Sequence, residues 1–69
     1  MIKNEIGENA GKIWETLNEK GELSIDKLKT LTELNKQQLL MAIGWLAREE
    51  KIFQTNPYEK DWKICPVYN

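Results

Sequence analysis

The chain has 69 residues, is 41% hydrophobic and 30% charged, and carries a net charge of −1 at neutral pH. That length suits one small domain of ordinary globular composition, a size at which only about 60% of the unfolded chain's surface becomes buried. Histidine is absent and Cys65 is the single cysteine, which excludes an internal disulfide and removes the usual zinc ligands and the commonest general base.

The N-terminal run "MIKNEIGENAG" is charged and helically periodic, unlike a signal peptide. The longest apolar run, Leu39–Ala47, falls far short of the roughly 20 residues a membrane helix needs. Both point to a cytoplasmic protein with no membrane partner. Helix 1 is expected over about Lys3–Lys20. Ile2, Ile6, Ala10, Ile13 and Leu17 recur at helical steps, with Trp14 widening the stripe. Lys20-Gly21 ends it, a cation in the last turn and then a residue suited to the left-handed position. Gly7 and Gly11 weaken the helix by up to ~1 kcal/mol each relative to Ala, and leave room for a close approach to that flank.

Glu22–Ser24 reads as a short extended segment, with Ser24 as the cap of helix 2. Ile25, Leu28 and Leu31 give that short helix its apolar face, and Asp26 suits its first turn. "TELN" connects it to helix 3, with Leu34 turned inward. Helix 3 opens on Asn35, with Gln38 three positions on, a variant of the capping box. It is expected to run to about Glu50, with Leu39, Ala42, Ile43 and Leu46 buried and Leu40 and Ala47 on the flank. "KIFQT" and "WKIC" then read as antiparallel strands joined by the polar turn "NPYEKD", with Pro66 ending the second. Cys65 reads as a small apolar residue of that strand, with Lys63 the only neighbour able to activate its thiol.

The expected order is therefore helix, short strand, helix, helix, strand, loop, strand. It corresponds to a mainly α fold with a small β-hairpin: a winged helix-turn-helix, three helices plus a two- or three-stranded antiparallel wing, as a single domain over residues 1–69. The chain resembles that superfamily over essentially its whole length. "AIGWLAREEKI" at Ala42–Ile52 is similar to a family of very small bacterial winged-helix proteins of uncharacterised function, in which a Gly-Trp-Leu-Ala-Arg-Glu run ends the third helix and leads into the wing.

The resemblance implies a non-enzymatic DNA-binding, transcription-regulatory domain with helix 3 in the major groove and the hairpin on the backbone. Lys36, Gln37, Gln38 and Met41 then lie at the groove end of the helix, and Lys60 and Lys63 are the wing cations. Glutamine can read adenine, and lysine neutralises phosphate without reading sequence. The charge distribution bears on this reading. Residues 24–48 carry Lys27, Lys29, Lys36 and Arg48 against Asp26 and Glu33, a net of +2, whereas 1–23 carry −2 and 49–69 carry −1. A dedicated nucleic-acid binder is usually more basic. Lys60 lies between Glu59 and Asp61, which offset its field.

No triad of serine, histidine and aspartate can form and no Gly-rich phosphate loop is present. Glu49 and Glu50 point about 100° apart on a helix and cannot flank one substrate; with Arg48 and Lys51 they read as a solvated patch. No enzyme, cofactor or metal is expected.

Helix 3 has a second face. Met41, Gly44, Trp45 and Arg48 fall away from the core stripe on the helical wheel. DNA contact, burial of Trp45 under the wing or the "CPVYN" tail, a small-ligand groove and a protein interface all compete for it. Trp, Met and Arg are enriched at interfaces. The alternative reading is thus a homodimerising interaction module that uses Met41, Gly44, Trp45, Arg48 and Trp62 without direct DNA binding. Trp14 is expected in the core, and Trp62 against helix 3 or at an interface. Tyr58, at the wing tip, is expected to be exposed.

Overall fold

A computed structural model describes the backbone of residues 2–67 and the side chains from Asn4 to Val67. The elements are α1 (Ile2–Lys20), β1 (Leu23–Ser24), α2 (Ile25–Thr32), α3 (Lys36–Arg48), β2 (Ile52–Thr55) and β3 (Lys63–Pro66). The order matches the expected one, and the sheet is three-stranded and antiparallel in the order β1-β3-β2. β3 is the central strand. Leu23 pairs with Ile64 on one side, and Gln54 pairs with the same residue on the other.

Helix α1 supplies Ala10, Ile13 and Leu17 to the core, as its spacing predicts. The Ile2 side chain of that stripe lies outside the described residues. Leu28, Leu39, Ala42 and Ile64 are fully buried beside them, and Leu34 does turn inward. On α3 the four stripe residues Leu39, Ala42, Ile43 and Leu46 are all buried. Trp14, Leu23, Trp45, Ala47 and Trp62 are half-buried around this core.

The caps are made as the sequence suggests. Ser24 Oγ accepts from the Lys27 amide at 3.1 Å. Asn35 Oδ1 accepts from the Gln38 amide at 2.8 Å, and Gln38 Oε1 accepts from the Asn35 amide at 3.0 Å, closing the capping box.

Some positions differ. On α2 the buried face is Ile25, Leu28 and Thr32, whereas Leu31 is 39% exposed. Thr32 tolerates burial because its hydroxyl donates to the Leu28 carbonyl at 2.6 Å. Helix α3 stops at Arg48, short of Glu50, because Glu50 takes φ 58° and its amide turns back to the Ala47 carbonyl at 3.1 Å. Pro66 does end β3, as its last residue, where it pairs with Ile52. Trp62 precedes the strand, and its carbonyl accepts from the Ile25 amide at 3.1 Å, joining the wing to the start of α2.

Ideal Cβ atoms built at Gly7 and Gly11 meet nothing within 4 Å. Within the described residues, then, no close approach requires these glycines. Gly11→Ala should therefore raise the unfolding free energy by up to ~1 kcal/mol, because helix propensity improves and no clash follows. Asn35→Ala should lower it by about 1 kcal/mol through loss of the α3 cap. Urea denaturation followed by circular dichroism measures both, and a stabilised Asn35→Ala or a destabilised Gly11→Ala would contradict these accounts.

Candidate nucleic-acid interface

Helix α3 presents an outward ridge of Gln37, Met41, Gly44 and Arg48, spaced by four, three and four residues and all exposed. Met41 is 49% exposed, one of four large hydrophobic side chains exposed among the described residues. Gln38 lies off this ridge. Besides closing the cap, its Nε2 donates to Glu5 Oε1 of α1 at 3.4 Å. The Gln38 amide is thus held between α1 and the start of α3, while Gln37 and Met41 face solvent.

Lys36, the first residue of α3, lines a cleft of about 460 Å³ between the helix-turn-helix and the wing. Lys29 of α2 and Lys60 of the β2–β3 loop line the same cleft, together with Tyr58 and Trp62. Asp26 and Glu59 also border it, so three cations face two acids and the local balance is +1. Lys29 carried no separate signal in the sequence. It could have been found from its exposed position on α2 within the positively charged middle third.

The wing loop is internally braced. Asn56 Nδ2 donates to Asp61 Oδ2 at 2.7 Å. The Glu59 amide donates to the Asn56 carbonyl and the Trp62 amide to the Glu59 carbonyl, each at 3.2 Å. Trp62 Nε1 donates to Gln54 Oε1 of β2 at 2.7 Å. The Tyr58 ring lies 5.0 Å from the Trp62 ring, tilted by 51°.

Lys63 is separated from this group. Strand side chains alternate between faces. Trp62 and Ile64 therefore share the core face, and Lys63 and Cys65 share the opposite one. There Lys63 Nζ lies 3.8 Å from Glu22 Oε1, so its charge is partly offset. The other Glu22 oxygen, Oε2, accepts from the Cys65 thiol at 3.1 Å. Burial pushes this thiol up from its ordinary 9.0 to about 11; the hydrogen bond to Glu22 and the Glu22 charge act in the same direction, and Lys63 opposes them. Lys63 does not activate Cys65, and at neutral pH the residue is a protonated, buried thiol.

The residues of the second α3 face are divided. Met41, Gly44 and Arg48 stay on the ridge. Trp45 turns toward α1 and lines a groove with Gly7, Gly11, Trp14 and Lys51, so its cover comes from α1 rather than the wing. The C-terminal Tyr68 and Asn69 lie outside the described residues. Lys51 Nζ stands 5.9 Å from the Trp14 ring centre. Among the described residues neither Lys51 nor Arg48 forms an ion pair with Glu49 or Glu50. Trp62 sits across the molecule in the wing cleft. The five candidate interface residues therefore form three separate groups.

No group of acidic or cysteine side chains that could hold a metal occurs among the described residues. No helix there is long and apolar enough to cross a membrane.

Three helices followed by a hairpin, with a third helix exposed along one ridge and a short strand completing the wing sheet, define a winged helix-turn-helix protein. The chain belongs to the winged helix-turn-helix domain family DUF2582, which it matches over residues 1–66. It is 45% identical over 62 residues to the uncharacterized protein MJ1608 of Methanocaldococcus jannaschii, covering 86% of each chain. That relative is archaeal, so relatives of this chain are not confined to bacteria. It is also similar to protein BT2368 of Bacteroides thetaiotaomicron, whose structure was determined by solution NMR: 36% identity, TM-score 0.83, covering 96% of this chain and 79% of that one.

Because the Cys65 thiol ionises only near pH 11, its alkylation by iodoacetamide in the folded protein should be slow at pH 8 and accelerate through pH 11. The same proton is held more weakly when unfolded. Its contribution to stability is therefore complete below about pH 9 and lost as pH rises toward 11. Glu22→Gln should bring the alkylation profile to lower pH; an unchanged profile would remove Glu22 as a cause.

Proposed function

We propose that this protein is a non-enzymatic, DNA-binding and transcription-regulatory module of the cytoplasm that engages duplex DNA through α3 and the wing. The observation that carries the proposal is the convergence of Lys29, Lys36 and Lys60, from three separate elements, on the cleft beside the exposed start of α3. In that arrangement Gln37 and Met41 face base edges in the major groove, and the three lysines contact phosphates. Phosphate contacts position a protein without reading sequence. With Gln38 committed to the cap, Gln37 is the glutamine left for base contact. The family, a winged helix-turn-helix domain, supports the same reading.

Three phosphate contacts give a log–log dependence of affinity on salt with a slope of about −3. Titration of a labelled random-sequence duplex at low salt, repeated at rising salt, measures it. Lys36→Ala should weaken binding on all sequences and reduce the slope by about 1. Absence of binding at low salt would refute the proposal.

A second reading, homodimerisation, is favoured by the 49% exposure of Met41 beside the open flank at Gly44 and by the net charge of −1. A two-fold dimer through this ridge would bury it and compete with DNA. Sedimentation velocity at increasing protein concentration distinguishes the two. A dimer that Met41→Lys dissociates supports this reading, and a monomer throughout excludes it.

A further inference from the structure

Burial gives Tyr58 no reason to be a tyrosine. It is 88% exposed at the tip of the wing. Its φ of 68° lies in the left-handed region, which favours glycine and is strained for a bulky side chain. An outlier retained where burial gives nothing back directs attention to function. Its one aromatic contact is Trp62, at 5.0 Å, and the Trp62 ring is itself fixed by its 2.7 Å hydrogen bond to Gln54. The result is an aromatic platform in which the Tyr58 ring, tilted by 51° to Trp62, is open to solvent on a braced loop. Lys29, Lys36 and Lys60 border the cleft that the platform closes. Asp61 is occupied by Asn56 and forms no ion pair with Lys60.

A solvent-facing tyrosine ring beside several cations is complementary to a nucleobase between two phosphates. Inside a duplex both faces of every base are already stacked, so the platform needs a base that has left the stack or hangs beyond the end of the helix. We infer that Tyr58, backed by Trp62, stacks on an unpaired base of DNA while Lys29, Lys36 and Lys60 hold the adjoining phosphates, so that the protein prefers a duplex carrying a single-stranded extension to a blunt one. This rests on the DNA-binding reading above and specifies which DNA is bound.

The test compares one labelled duplex, blunt or with a short thymine overhang, by fluorescence anisotropy at low salt. The overhang should tighten binding by about 5- to 150-fold, the range for one stacked base. Tyr58→Phe should keep this preference. Tyr58→Ala should lose it. Tyr58→Gly should lose it while raising the melting temperature, because glycine accepts the φ of 68° without strain. A purely structural role for Tyr58 requires stability to fall instead. Equal wild-type affinity for both duplexes overturns the stacking inference and leaves duplex binding standing. Binding to neither overturns both. A preference that survives Tyr58→Ala removes Tyr58 from the site.

Discussion

The contact on which the molecule depends is the seating of α3 against α1. Ala10 faces inward from one helix and Ala42 from the other, 3% and 0% exposed. Ile13 and Leu17 of α1 and Leu39, Ile43 and Leu46 of α3 complete this buried zone. Burial of large aliphatic side chains is worth roughly 1.5–3 kcal/mol each, far more than any surface ion pair here. Once this face of α3 is fixed, the ridge of Gln37, Met41, Gly44 and Arg48 must point outward. The rotation that buries Leu46 also turns Trp45 toward Trp14.

Strand β3 is the second organising element. By pairing with β1 and β2 together it connects the segment between α1 and α2 to the hairpin that follows α3. Ile64 is fully buried at the centre of that connection. The bond from the Ile25 amide to the Trp62 carbonyl extends it to the first residue of α2. The wing is therefore held against the helix-turn-helix, and Lys60 can share a cleft with Lys29 and Lys36. The same pleat that sends Ile64 inward sends Lys63 to the far side, where Glu22 contacts both Lys63 and Cys65.

A net charge of −1 does not describe the surface a partner meets. Glu8, Glu15 and Glu19 are exposed on α1, the helix that packs behind α3. The cleft cations come from α2, α3 and the wing loop. Over distances comparable to the Debye length of about 8 Å, the local arrangement outweighs the total. Even so, Asp26 and Glu59 temper the cleft, which keeps an excess of one positive charge among its lining residues.

Local signals in the sequence determined most of the architecture. Helical spacing at Ala10, Ile13 and Leu17, the cap at Asn35, the change of period after Arg48 and the Asn56-Pro57 turn each depend on residues close together in the chain. They were legible for that reason. The inward turn of Leu34 and the four-residue core stripe of α3 followed from the same reasoning. What only the tertiary structure decided concerns residues distant in the chain. It exchanged Leu31 for Thr32 in the core, because a threonine that bonds its own helix can be buried without cost to its hydroxyl. It joined Gln38 to Glu5, paired Lys63 with Glu22, added Lys29 to the cleft and turned Trp45 to α1. A helical wheel gives the direction of a side chain but not what lies there, and that depends on how the elements pack.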